Sequence, residues 1–181
     1  MIVQLRATSG AGKTTLVRQW LEGRQLQPIF MDGRRSPIAY LVDGHTALLG
    51  HYNPNTQCSG ADTIHTYAEV YALVRKYHAE GYHVLFESYL LSADSKQFLE
   101  LYHDGLPFIV VRLTTNLNKC IDNINFRRKA KNPDKMDVDP KHTIAKHKAI
   151  INSVAKLKAA GVDTRELTYE EALTCLRKEL S

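Results

Sequence analysis

The sequence predicts a three-layer α/β/α domain: a mainly parallel, five-stranded sheet with helices on both faces and a β-hairpin inserted after the second strand. Two observations predict it. Short, almost continuously apolar runs at residues 2–6, 28–31, 83–87 and 107–113 alternate with longer segments of helical periodicity. Strands that are apolar on both faces belong in a parallel sheet covered twice by helices. A length of 181 residues, 44% hydrophobic and 24% charged, suits one domain with its own core, residues 1–181.

Each element has a local reason. Residues 2–6 are apolar and too short for a helix, so they form a strand. A glycine-containing loop follows, and a helix over 13–21 buries Leu16, Trp20 and Leu21 before Gly23 stops it. The second strand, 28–31, ends at Asp32-Gly33. Asp43-Gly44 between the apolar runs 38–42 and 46–49 is a strong hairpin signal. Residues 50–62 are polar and read as a loop. Ile64, Tyr67, Ala68, Tyr71, Val74 and His78 give the helical period of 63–80, closed by Gly81. Strand 83–87 ends in Glu87. Ser92 caps a helix to about residue 103, and 107–113 is a fully apolar strand. Thr115 or Asn116 caps a helix through 131. After a linker at 132–139, Pro140 opens a helix to 160. Residues 162–167 are a weak last strand, and Thr168 with Glu171 forms a capping box for the terminal helix.

Composition excludes a fibre, a disordered tail and a membrane span, since no apolar run approaches roughly 18 residues. The N-terminus lacks the pattern of a secretory signal. Cys58, Cys120 and Cys175 lie far apart and read as reduced thiols of a cytosolic protein, without disulfide or zinc. The net charge of +5 is local. Residues 119–158 hold eleven Lys and Arg against four Asp, a local +7. Such a segment suggests an anionic partner, a nucleoside triphosphate or nucleic acid, although solvated Lys-rich helices look the same.

The segment Ala7-Thr8-Ser9-Gly10-Ala11-Gly12-Lys13-Thr14 follows the first strand and opens the first helix, the context of a phosphate-binding P-loop. Gly10 and Gly12 let successive backbone N–H groups point inward, and the helix N-terminus adds positive field. Lys13 then serves the β- and γ-phosphates of ATP, and the Thr14 hydroxyl is a Mg²⁺ ligand. With Thr15, residues 8–15 are the expected nucleotide contacts. Ala7 stands where the motif usually has glycine. No N-K-x-D motif follows the fourth strand, which excludes a GTPase. A small sheet with a late basic helix pair resembles the nucleoside and nucleotide kinases, whose arginine-bearing lid closes over the transferring phosphoryl group. The resemblance implies a lid at 117–148, with Arg127 and Arg128 as its cations.

Three acids compete for base and metal partner. Asp32, at a strand end, has Arg35 three residues on. Phage polynucleotide kinases look similar there, using the aspartate on the acceptor hydroxyl, and a strand-end acid beside a P-loop is hard to explain by packing. Glu87 suits a base or a Mg²⁺ partner through water. Asp62 faces the acceptor pocket or, the commoner case, caps the helix at Thr63. Tyr52 could stack on a nucleobase. The eight histidines show no metal spacing.

Over nearly its whole length the chain resembles the bacteriophage 5-hydroxymethyluracil DNA kinases. The matching parts are the P-loop, Leu41-Val42-Asp43-Gly44, Gly50-His51-Tyr52, Cys58-Ser59-Gly60-Ala61-Asp62-Thr63-Ile64, Phe86-Glu87-Ser88 and Arg127-Arg128. The segment 50–64 discriminates most. The resemblance implies an ATP-dependent phosphotransferase acting on the 5-hydroxymethyl group of deoxyuridine within DNA, in the cytoplasm of an infected host. The product would be a 5-phosphomethyl base, an intermediate in a hypermodification that evades restriction. A base in duplex must leave the stack to react, and Tyr52 or Tyr40 would receive it. Two alternatives stay open: a kinase of free nucleosides or nucleotides, and a non-catalytic, nucleotide-dependent DNA-binding switch.

Overall fold

The computed structural model of the chain describes residues 1–52 and 60–181, so Cys58 lies outside the described residues. Among these, seven strands form one mixed, mostly parallel sheet, with six α-helices around it. The strands are β1 (Ile2–Arg6), β2 (Leu26–Ile29), β3 (Ala39–Val42), β4 (Thr46–Leu49), β5 (His83–Glu87), β6 (Phe108–Leu113) and β7 (Asp163–Leu167). The helices are α1 (Lys13–Trp20), α2 (Tyr67–Ala79), α3 (Lys96–His103), α4 (Leu117–Lys131), α5 (Pro140–Ala159) and α6 (Tyr169–Glu179), with short 3₁₀ turns at Ala61–Thr63 and Leu91–Ala93.

The order across the sheet is β2-β3-β4-β5-β1-β6-β7. The five strands β4, β5, β1, β6 and β7 run parallel, while β2 and β3 extend the sheet by antiparallel pairing. This corrects the five-stranded expectation. The hairpin is no appendage: its second strand, β4, pairs with β5, and the second strand of the chain is pushed to the outer edge. Burial explains the exchange. All four residues of β4 are buried, whereas Leu26, Gln27 and Pro28 of β2 are exposed. Pro28 has no N–H to donate, which suits an edge and not a centre.

Apolar layers lie on both faces. Leu16, Val17 and Trp20 of α1 and Leu173 and Leu176 of α6 pack with Val3, Leu5, Leu85 and Val111. Val70, Tyr71 and Val74 of α2, Phe98 of α3 and Leu157 of α5 pack with Ile2, Val84, Phe86 and Val110. The alternation of Ile2 and Val3, and of Val84 and Leu85, between the two layers is the period-2 geometry of a strand. Helix starts follow side-chain chemistry. Thr66, Asn116, Asp139 and Thr168 each accept a backbone N–H, and Thr168 and Glu171 complete a capping box. Two expected caps differ. Asp62 does not cap α2, because the chain first turns through Ala61–Thr63 and Thr66 takes that role. Ser92 sits in the turn Leu91–Ala93, its hydroxyl spent on the Ser88 carbonyl.

Candidate active site

The parallel strands bring their C-terminal ends to one edge, where ligands of such sheets bind. Arg6, the last residue of β1, is fully buried. Its guanidinium donates to Gln4 Oε1 (2.7 Å), Ser153 Oγ (2.7 Å) and the Asp94 carbonyl (2.6 Å), and lies 4.9 Å from the centre of the Phe98 ring. Burial pulls its pKa down to about 10. The end of the central strand is thereby pinned to α5 and to the segment after β5.

The loop over residues 7–12 leaves from this anchor. Ala11 N–H donates to the Thr8 carbonyl (3.2 Å), and Gly10 and Gly12 have φ of +81° and +97°. A Cβ at Gly10 would collide with the Cys120 carbonyl of α4, so close approach demands glycine there as well. The loop is gripped from outside. Thr115 Oγ1 donates to the Ala11 carbonyl (2.9 Å), Asn123 Nδ2 to the Gly10 carbonyl (2.8 Å) and Arg127 Nη2 to Ser9 Oγ (3.3 Å). Thr8 Oγ1 lies 2.9 Å from His147 Nδ1 of α5.

Lys13 and Thr14 begin α1. Buried Lys13 donates from Nζ to the Ala7 carbonyl (2.7 Å). Burial lowers its pKa, while Glu87 and then Asp62 oppose that shift. Thr14 Oγ1 donates to Glu87 Oε1 (2.7 Å). Glu87, 2% exposed at the end of β5, has its carboxyl pushed up by burial, against the pull of Lys13 and the Thr14 hydroxyl. Asp62 lies beside them, held by three donors: Ser88 Oγ (2.5 Å), Tyr89 N–H (2.7 Å) and Leu90 N–H (3.2 Å). Lys146 of α5 donates to the Leu90 carbonyl (3.1 Å), with its ammonium 4.8 Å from the centre of the Tyr89 ring. Burial lowers the Lys146 pKa and Asp62 raises it, so this cation belongs to the same electrostatic cluster.

A cleft of about 410 Å³ opens here, bounded by residues 8–15, Asp62, Glu87, Tyr89, Asn123, Phe126 and Arg127. Of the residues expected at a site, the cleft gathers Thr8, Ser9, Gly10, Ala11, Gly12, Lys13, Thr14, Thr15, Asp62, Glu87 and Arg127. Arg128 is one residue, about 100° around the helix, from Arg127 and does not line it. Asp32 and Arg35 are exposed and outside the cleft. Four strand spacings, roughly 19 Å, separate β2 from β1, which is why Asp32, in the turn three residues past the end of β2, is not beside the loop. In that turn it is Arg34, donating to the Thr63 carbonyl (2.6 Å), that reaches inward.

Tyr52 is 9% exposed and packed in the same core layer as Trp20 and Leu48, leaving no face for base stacking. Its buried hydroxyl has no hydrogen-bond partner among the described residues, and burial, with Glu87 and Asp62, drives its pKa well above the ordinary value. Tyr40 is taken up by His51, its hydroxyl 2.9 Å from Nδ1. Asn123, Tyr89, Lys146 and His147 escaped the sequence reading. Asn123 had a signal: four residues before Arg127, it shares that helix face.

A buried lysine at a helix N-terminus, facing two carboxylates across a cleft at the end of a parallel sheet, gives the groups of a phosphotransferase. No family model matches the chain. It is 40% identical, over 184 residues covering 99% of this chain and 96% of the relative, to a protein of Pseudomonas phage PaMx11 described as "5-hmdU DNA kinase". The chain belongs to the 5-hmdU DNA kinases. Among the described residues, no helix is long and apolar enough to cross a membrane.

Proposed function

We propose that the chain transfers the γ-phosphoryl group of ATP to the 5-hydroxymethyl group of 5-hydroxymethyl-deoxyuridine in DNA. The product is 5-phosphomethyl-deoxyuridine, a step in a base hypermodification that shields viral DNA from host restriction in the host cytoplasm. Residues 1–181 act as one domain of nucleotide-kinase type, with 7–14 as its P-loop and 117–148 as the lid. The observation that carries this reading is the convergence of Lys13, Thr14, Glu87 and Asp62 on one cleft, with Thr14 bonded to Glu87 and Lys13 within the field of both carboxyls.

The hydroxymethyl oxygen attacks the γ-phosphorus in line, the bond to the β,γ-bridging oxygen breaks, and ADP leaves. Asp62, its carboxylate fixed by Ser88, Tyr89 and Leu90, orients the hydroxyl and takes its proton. Asp32, exposed at the sheet edge, is not needed in this scheme. The loop N–H groups and Lys13 hold the β- and γ-phosphates, and Arg127 and Lys146 neutralise charge on the moving group from α4 and α5. The Thr14 hydroxyl and the Glu87 carboxylate, 2.7 Å apart, are hard oxygen donors suited to Mg²⁺, which would screen the triphosphate oxygens when bound.

The test is to incubate the protein with hydroxymethyluracil-containing DNA and ATP, digest the DNA and weigh the nucleosides. A mass gain of one phosphate on hydroxymethyl-deoxyuridine is expected; its absence overturns the proposal. Equal phosphorylation of the free nucleoside would replace DNA by a small-molecule acceptor.

A further inference from the structure

Phe126 is the feature of the cleft that the proposed chemistry does not use. It is 75% exposed; among the described large apolar residues only Met136 stands further out. Its place on α4 is not that of a packing residue. Cys120 is the buried side chain of the helix, with Leu117, Ile121 and Ile124 half-buried. Asn123, Phe126 and Arg127, at i, i+3 and i+4, all line the cleft, and of the three Phe126 is turned furthest, about 120°, from Cys120. Asn123 and Arg127 reach the loop at the Gly10 carbonyl and Ser9 Oγ, while the ring between them remains open to solvent at the rim. Beside it on the helix are Arg127 and, one turn on, Lys129, whose ammonium also meets Asp137 (2.7 Å), with Asp122 one turn back and the exposed Lys119 two turns back on the same stripe.

An apolar ring standing proud among phosphate-seeking cations matches the chemistry of a nucleic-acid wedge, where Lys and Arg hold the backbone and the ring parts neighbouring bases. A platform sandwiching one base would sit in a slot with two walls, and three-quarters of this ring has none. We propose that Phe126 inserts into the stack of duplex DNA beside the extruded nucleotide, filling the gap left as the target base enters the cleft. The inference rests on DNA being the acceptor.

The experiment compares wild type, Phe126→Ala and Phe126→Trp on one hydroxymethyluracil oligonucleotide, single-stranded and annealed to its complement. Phe126→Ala should lose about tenfold or more in kcat/KM on the duplex, change less than about twofold on the single strand, and leave KM for ATP unchanged. Phe126→Trp should restore duplex activity. Duplex activity of Phe126→Ala equal to wild type overturns the wedge. So does an equal loss on both strands, or a raised KM for ATP, which would make the ring a platform for the target base or the adenine. If wild type phosphorylates neither DNA, the acceptor assignment itself falls, and that outcome is visible without any variant.

Discussion

Replacing Asp62 by Asn separates a chemical role from a structural one. Oδ1 accepts from Ser88 Oγ and Leu90 N–H, and Oδ2 from Tyr89 N–H. An amide retains only one acceptor oxygen. Turned one way, its NH₂ faces the Tyr89 N–H; turned the other, it faces Leu90 N–H, with the Ser88 hydroxyl free to rotate and accept. Either orientation leaves one backbone donor unmatched, which costs about 1–3 kcal/mol. At about 2–4 °C per kcal/mol for a chain of this size, the Tm should fall measurably. Loss of the proton acceptor should lower turnover by a further factor of about 10²–10⁴. Transfer of labelled phosphate to a hydroxymethyluracil oligonucleotide, with KM for ATP and Tm alongside, reads all three. Ser88→Ala is the control, since it removes one donor to the same carboxylate but not its basicity: it should lower Tm comparably and keep most of the turnover. If Asp62→Asn keeps turnover within about threefold of wild type while losing Tm, the carboxylate only ties down the turn after β5.

Three further outcomes are expected. Lys13→Ala should reduce phosphate transfer by about 10³ or more while the circular dichroism spectrum stays that of the folded protein; retained transfer would dismiss the loop as the phosphate site. Glu87 is held above the ordinary carboxyl pKa of 4.5, so the folded state binds its proton more tightly than the unfolded state does. Stability from this group is therefore complete below pH about 4.5 and drains away as pH rises toward the folded pKa. Glu87→Gln should accordingly gain stability relative to wild type as pH rises above 4.5 without divalent cation, and a Tm difference that does not vary with pH contradicts this. Arg6→Ala removes a fully buried cation from four partners and should cost about 3 kcal/mol, read as the shift of the urea midpoint; an unmoved midpoint refutes the anchoring role.

Much was written locally. The glycines at positions 10 and 12, between an apolar run and a helical period, announce the turn they make, and Thr168 with Glu171 announces the last helix. What sequence spacing cannot carry is which strand neighbours which. Residues 28–31 and 46–49 both read as strands; their exchange between edge and interior decides whether Asp32 or the chain following β4 lies near the loop. Pro28 was the available clue. Asp62 took meaning from Ser88, Tyr89 and Leu90, more than twenty residues away, a relation created only when Ala61–Thr63 turns against the end of β5. Tyr52 shows the converse: one aromatic in a polar stretch does not reveal whether its ring is covered. Lys146 was hidden in a Lys-rich run, since only α5 packing beside Tyr89 distinguishes it from Lys141 or Lys148.

The two outermost strands carry a consequence for life at high concentration. An open sheet invites another chain to add a strand to its rim, which is how many soluble proteins begin to aggregate. Here one rim strand holds Pro28, and the other, β7, carries Asp163, Arg165 and Glu166, with Arg165 bridging Asp163 and Glu179 and Glu166 paired with Arg112. A missing donor on one side and a fence of charge on the other discourage runaway strand addition at both borders of the sheet.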